Sequence, residues 1–327
     1  VSLRAKPLVN RSLRLAPCAP RLPFLSYYSH HSLTIDLLPL QQNFQVMYLD
    51  ELIKQALAED IGSGDHTTLS TIPATATGEA QLLIKANGVV AGIEVARKVF
   101  ETLDPTLQFK PLMKDGTKVM VGDIVFTLSG SSRSILTGER LALNFMQRLS
   151  GIATATRHMA DLIADTPARL LDTRKTTPLL RQLEKQAVVA GGGTNHRYGL
   201  YDMILIKDNH VDFAGGIRQA IEATHQYMKE KKMNLKIEIE VRNFDELQQV
   251  LRSGGVHRVM LDNFSPEDLQ RAVGIVDGQM ETEASGRITA ENIRSYAETG
   301  VNFISSGALT HQIKSLDMSL KALHHHQ

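Results

Sequence analysis

LKIEIEVRNFDELQQVLRSGGVHRVMLDNFSPEDLQRAVGIVDGQMETEASGRITAENIRSYAETGVNFISS, residues 235–306, carries the pattern that decides the fold. Four short β-forming runs lie in it, at 235–241, 258–262, 279–285 and 301–306, and each closes in polar or small residues. Between them stand stretches with helical spacing, 244–252, 266–276 and 289–299. The strand-plus-helix unit recurs about every 22 residues, which is the period that parallel strands joined by crossover helices require. Two similar runs precede it at 168–172 and 203–207, followed by helical stretches at 178–190 and 213–231. A doubly wound sheet would carry a glycine-rich fingerprint after its first strand. Asp172-Thr173-Arg174-Lys175 stands there instead. The expected fold is therefore α/β, a parallel β/α barrel, open or incomplete because only six strands are evident.

Upstream, residues 48–58 place Leu49, Leu52, Ile53, Ala56 and Leu57 at helical spacing, closed by Gly62 and Gly64. The block 79–130 gathers β-formers between glycines and reads as a small N-terminal α+β domain. A long helical pattern at 136–164 then joins it to the barrel. The expected organisation is a disordered tail at 1–46 outside the fold, an N-terminal α+β domain with its linking helix at 47–160, and a catalytic barrel at 161–327, completed by a segment returning from either end. The tail holds five basic residues, Arg4, Lys6, Arg11, Arg14 and Arg21, against Asp36. An organelle-targeting peptide is one reading. The preferred one is an appended tail ahead of a start at Met47, since Pro17, Pro20 and Pro23 would break a targeting helix.

Composition narrows the function. With Lys+Arg 36 against Asp+Glu 35 the formal charge is +1, so nothing global argues for nucleic acid or an anionic membrane. No apolar run reaches membrane-spanning length. Cys18 stands alone, which excludes an internal disulfide and a cysteine zinc cluster and fits a reducing, cytoplasmic setting. The terminal run His324, His325 and His326 reads as a solvated tail.

In a barrel the chemistry sits at the carboxyl ends of the strands, and those ends are unusually charged here. The first carries Thr173, Arg174 and Lys175, the second Lys207, and between them stands Gly191-Gly192-Gly193-Thr194-Asn195-His196-Arg197. Cations are rarely placed at buried strand ends without an anionic partner, because an unpaired buried charge costs about 3–5 kcal/mol. The ligand should be strongly anionic. Glu240 and Asp262 bring carboxylates to neighbouring strand ends, with Glu238 on the same strand face as Glu240. They could hold Mg²⁺, bind sugar hydroxyls, stabilise a developing carbocation, or pair with Lys175 or Lys207. The last two strands end in Ser285-Gly286-Arg287 and Ser306-Gly307-Ala308, small residues ahead of helices that suit a phosphate. One phosphate would not occupy the whole basic rim, so a second polyanion is implied.

Seven linked motifs, in order from about Met47 to the C-terminus, resemble those of the quinolinate phosphoribosyltransferase family. They are Glu139-Arg140 with Leu149-Ser150-Gly151-Ile152-Ala153-Thr154, Asp172-Thr173-Arg174-Lys175-Thr176, the glycine run with Asn195-His196-Arg197, Ile206-Lys207-Asp208-Asn209-His210, Leu261-Asp262-Asn263-Phe264, Ala284-Ser285-Gly286, and Gly307-Ala308-Leu309-Thr310-His311. The resemblance implies a homodimer in which the N-terminal domain of one subunit closes the barrel of the other. It implies that Arg140, across the interface, with Thr173, Arg174, His196, Arg197 and Lys207, binds quinolinate. It implies that Lys175, Glu240 and Asp262 face phosphoribosyl diphosphate and Mg²⁺ as the catalytic set, while Ser285, Gly286, Arg287, Ser306, Gly307, Ala308 and His311 hold the phosphate. Arg287 departs from the glycine or asparagine expected after Ser-Gly. Three other readings remain: a metal-uptake paralogue of the same fold, a Schiff-base aldolase using Lys207, and a carrier module formed by the glycine-bounded turns at 115–130.

Overall fold

The structure, a computed structural model, describes residues 37–323, with side chains from Tyr48 onward. What was expected of residues 1–36 and of the terminal histidines lies outside the described residues. Helix α1 (Leu37–Ile61) begins at Leu37 rather than near Met47. It buries Ile53 and Leu57 and packs Leu49, Leu52 and Ala56 against the core, the spacing that predicted it. Asp50 ties it to Lys98 at 2.7 Å. Asp65 caps α2 (His66–Thr71) by accepting from the Thr68 N–H at 3.0 Å.

The N-terminal domain continues through β1 (Thr77–Ile84), β2 (Gly88–Val89), α3 (Ile93–Leu103), β3 (Gln108–Pro111), β4 (Lys118–Val119) and β5 (Ile124–Ser131). β1 and β3 flank β5 in an antiparallel sheet. Phe100 of α3 meets Phe109 and Phe126 of that sheet, the last two with ring centroids 4.3 Å apart. The turn considered as a carrier tip is structural: Asp115 accepts from the N–H groups of Gly92 and Ile93 at 3.0 and 3.1 Å and so caps α3. Lys118 beside it pairs with Asp161.

Helix α4 (Ser132–Leu162) is the expected link. At 1.5 Å per residue it runs about 46 Å, and its first turn is closed by the Ser131 hydroxyl. Gly151 sits inside it although glycine there costs about 1 kcal/mol relative to alanine. The reason is packing: a Cβ at that position would lie 2.5 Å from the Lys314 carbonyl oxygen.

The barrel strands are β6 (Arg169–Leu171), β7 (Ile204–Ile206), β8 (Ile237–Val241), β9 (Arg258–Asp262), β10 (Glu281–Ser285) and β11 (Phe303–Ser305), all parallel. Their order is β6-β11-β10-β9-β8-β7, which sets the first strand beside the last and leaves β6 and β7, at the two edges, unpaired with each other. Thr194 partly fills that opening by bridging Leu171. Outside run α5 (Arg181–Ala190), α6 (Asp208–Ala214), α7 (Ile217–Lys231), α8 (Phe244–Ser253), α9 (Pro266–Val276) and α10 (Ile293–Ala297), with the short α11 (Ala308–His311) after β11. Two features differ from expectation. The C-terminal strand β12 (Met318–Leu323) does not complete the barrel. It returns to the N-terminal sheet and pairs antiparallel with β1, Leu320 opposite Leu82, covering an edge that would otherwise stay open. The barrel interior is also polar: on β8 the residues Ile237, Ile239 and Val241 alternate with buried Glu238 and Glu240, and β10 carries buried Glu283.

Candidate active site

A cavity of about 900 Å³ opens at the carboxyl ends of the barrel strands. Every residue that the sequence nominated lines it except Arg140, which is exposed on α4. The loop after β6 delivers Thr173, Arg174 and Lys175. It is shaped locally by the Thr173 hydroxyl, which accepts from the Lys175 N–H at 3.0 Å. His196 and Arg197 come from the segment that bridges β6, anchored beneath by Asp172. That buried carboxylate accepts from the His196 N–H at 2.8 Å and from Lys185, itself buried, at 2.5 Å. Burial pushes the Asp172 carboxyl up despite Lys185, and pushes the Lys185 ammonium down despite Asp172.

The charge balance of the rim is uneven. Lys207 pairs with Glu240 at 2.7 Å, one of the two pairings expected of that carboxylate. Among the described residues, Arg174, Lys175, Arg197 and Arg287 have no ion pair within 4.0 Å. Burial first, and then the neighbouring Arg174 charge, hold the Arg197 guanidinium below its usual range. Two cations side by side facing one cavity repel each other unless an anion enters.

At the far side, Gly286 takes φ +105°, and a Cβ there would lie 2.9 Å from the Asn263 backbone nitrogen. Arg287 follows at φ +52°, the left-handed region that explains why glycine or asparagine was expected. The Ser306 hydroxyl is committed to the Ile288 carbonyl at 2.7 Å. Gly307 lies between the side chains of Lys175 and His311, so that corner joins the first strand-end loop to the last. Asp262 accepts from the Asn263 amide at 2.5 Å.

Sequence reasoning did not find the cluster in the barrel floor. His196 Nε2 lies 3.1 Å from Glu238 and 3.3 Å from Glu283, both fully buried. Arg258 reaches Glu283 at 3.1 Å and Glu281 at 3.0 Å while stacking on Phe303 at 3.9 Å. Burial alone would lower the His196 pKa, but the two carboxylates override it and raise it to about 9. This acts against a contact in which Nδ1 accepts the Arg197 N–H at 2.6 Å. Burial, then Glu283, raises Glu238 to about 7. Glu283 itself is lowered, because His196, Ser305 and Arg258 outweigh its burial. His196, Glu238 and Glu283 bring possible ligand atoms within 4.8 Å of one another. The Arg258 guanidinium already supplies the cation there. The signal available in the sequence was the alternation in Glu281-Thr282-Glu283 and in Glu238-Ile239-Glu240; the structure adds the register that sets Arg258 opposite Glu281 and Glu238.

Two family models match the chain in succession: "Quinolinate phosphoribosyl transferase, N-terminal domain" over residues 65–150 and the corresponding C-terminal domain over 152–321. The chain belongs to the quinolinate phosphoribosyltransferase family. Its family boundary falls inside α4, about where the linking helix was expected. The chain is 46% identical over 288 residues to the chloroplastic carboxylating nicotinate-nucleotide pyrophosphorylase of Arabidopsis thaliana, spanning 84% of this chain and 82% of that one. It is 44% identical over 288 residues to a mitochondrial decarboxylating quinolinate phosphoribosyltransferase of Nicotiana tabacum, with the same coverage of 84% and 82%. Among solved structures, the nicotinate-nucleotide pyrophosphorylase of Francisella tularensis superposes with a TM-score of 0.80 at 42% identity, covering 84% of this chain and 96% of that chain. Lys207, half-exposed and paired with Glu240, lacks the apolar pocket that activates many Schiff-base lysines.

Proposed function

We propose that the chain joins quinolinate to 5-phosphoribosyl 1-diphosphate, giving nicotinate mononucleotide, diphosphate and CO₂, a step of NAD biosynthesis. The observation that carries this reading is the set of unpaired cations at one barrel mouth, Arg174, Arg197, Lys175 and Arg287, too many for a single phosphate. Arg174 and Arg197, with Thr173, His196 and Lys207, receive the two carboxylates of quinolinate. Lys175, Glu240 and Asp262 face the diphosphate and ribose, and the 285–287 and 306–308 turns with His311 take the 5-phosphate. The pyridine nitrogen attacks the anomeric carbon as the bond to diphosphate breaks, and Glu240 and Asp262 stabilise the positive charge that develops on the sugar. The quaternised ring then takes up the electron pair released when the adjacent carboxylate leaves as CO₂, and a proton replaces it. A site with paired guanidinium groups disfavours nicotinate, which would leave one of them without its carboxylate.

Glu240 and Asp262 offer the hard oxygen donors that Mg²⁺ takes, and both line the cavity. Mg²⁺ held there would neutralise the leaving diphosphate. The active unit is a homodimer in which Arg140 of the partner subunit completes the quinolinate site, in keeping with its exposure outside its own cavity. No described helix is long and apolar enough to cross a membrane. A cytoplasmic setting is the proposed compartment, and fractionation decides between it and the organelles named for the plant relatives.

Incubation with quinolinate, phosphoribosyl diphosphate and Mg²⁺ should yield nicotinate mononucleotide and CO₂, with nicotinate a far poorer acceptor. Equal use of nicotinate would refute the diacid site. For the shared site, equal mixing of Arg140→Ala and Lys175→Ala subunits, each inactive, should restore about a quarter of wild-type activity, because half the dimers are mixed and each carries one intact site. No recovery after verified subunit exchange would refute it.

A further inference from the structure

Lys175 stands on a loop, carries no ion pair within 4.0 Å among the described residues, and sits where a diphosphate must be met at a defined distance. Something has to fix its backbone. Its carbonyl accepts from the Thr310 hydroxyl at 2.8 Å, which ties the loop after β6 to the turn after β11. Two residues further on, Thr177 is held twice. Its N–H donates to Glu184 Oε2 at 3.1 Å, and its hydroxyl accepts from an Arg148 Nη at 2.7 Å. The same guanidinium donates to Glu184 Oε1 through Nε at 2.9 Å and Nη at 2.7 Å, and reaches the Thr310 carbonyl at 3.2 Å. One side chain from the linking helix therefore grips both loops that meet at Lys175.

Neither Arg148 nor Glu184 lines the cavity, so neither touches a substrate there. Glu184 is fully buried, and both its oxygens are occupied. A buried ion pair adds little stability over apolar residues of the same volume. What apolar residues cannot supply is direction: a planar fork that fixes two separate backbone segments at once. Displacement of a catalytic group by about 1 Å can cost on the order of a hundredfold in rate.

We propose that Arg148 and Glu184 are positioning residues, whose fork holds the Lys175 loop against the 307–311 turn and so preorganises the diphosphate end of the cavity. The inference rests on the assignment of that end to phosphoribosyl diphosphate.

The test compares Arg148→Lys, Glu184→Gln and the double variant Arg148→Met with Glu184→Leu, each with its thermal melt recorded. Three ligand readings are taken: KM for phosphoribosyl diphosphate, calorimetric binding of that compound alone, and binding of phthalate as an unreactive diacid. Binding of phosphoribosyl diphosphate should weaken about tenfold and kcat should fall, with phthalate affinity unchanged. Arg148→Lys keeps the charge but not the fork and should not rescue. The double variant should recover the melt without recovering the diphosphate site. Normal binding of phosphoribosyl diphosphate in folded variants overturns the proposal, as does an equal loss for both ligands. Should wild-type protein form no nicotinate mononucleotide, the functional reading fails, while the calorimetric comparison still decides whether the fork positions this corner.

Discussion

Replacing Arg174 by methionine separates binding from stability in a way the structure makes quantitative. The methionine keeps most of the aliphatic stem and removes the guanidinium. In the unliganded protein that group is a liability: its Nε is buried without a hydrogen-bond partner among the described residues, and its charge lies close enough to Arg197 to depress that group. A buried unsatisfied donor costs about 1–3 kcal/mol. Removing it together with the repulsion should offset the lost packing, leaving stability unchanged or raised by about 1 kcal/mol, roughly 2 °C in Tm. Quinolinate loses a charge-assisted contact to a carboxylate, about 2–4 kcal/mol, or roughly 30- to 1000-fold in kcat/KM. Steady-state kinetics with quinolinate varied, beside a thermal melt of the same preparation, reads both. An Arg174→Met enzyme with wild-type kcat/KM, or one that melts many degrees lower, would refute the argument that this cation waits for a substrate anion.

Three further outcomes follow from particular contacts. Gly286→Ala, forced to φ +105° against the Asn263 backbone, should lose about 1–3 kcal/mol of stability and weaken phosphoribosyl diphosphate binding, checked by melt and calorimetry. The folded His196 pKa is raised to about 9 from about 6.5 unfolded. Its contribution to stability is therefore fully present below about pH 6.5 and is lost as pH rises through 9, and denaturant titrations from pH 6.5 to 9.5 should show a decline that Glu283→Gln reduces. Borohydride with carbonyl compounds should not label Lys207, as mass spectrometry would show, because its ammonium is held by Glu240.

The strands were legible because βα units repeat at a fixed spacing: 258–262 was read with its observed bounds, and the others within about two residues at each end. The cavity rim was legible for a different reason, since strand ends in such a fold share one mouth. What local pattern could not show was pairing across the chain. β12 joins β1 through contacts more than two hundred residues apart in sequence, and Arg148 meets Glu184 and Thr310 across the linking helix. The polar barrel floor was obscured because Glu238 was read only as sharing a strand face with Glu240, and Glu283 lies in the middle of its strand. Only the registers of β8, β9 and β10 bring them to His196 and Arg258. Helix α6 escaped because the helical stretch after the 203–207 strand was read only from 213, whereas the His210 ring accepts from the Lys207 N–H and begins a helix there.

The central claim is that one cationic mouth receives two polyanions at once. Calorimetric titration of phthalate, which has both carboxylates but no ring nitrogen to attack, into protein saturated with phosphoribosyl diphosphate and Mg²⁺ tests it most directly. The account predicts one phthalate per chain binding beside the sugar diphosphate, and loss of that binding in Arg174→Met. Mutually exclusive binding of the two, or phthalate binding indifferent to Arg174, would contradict it.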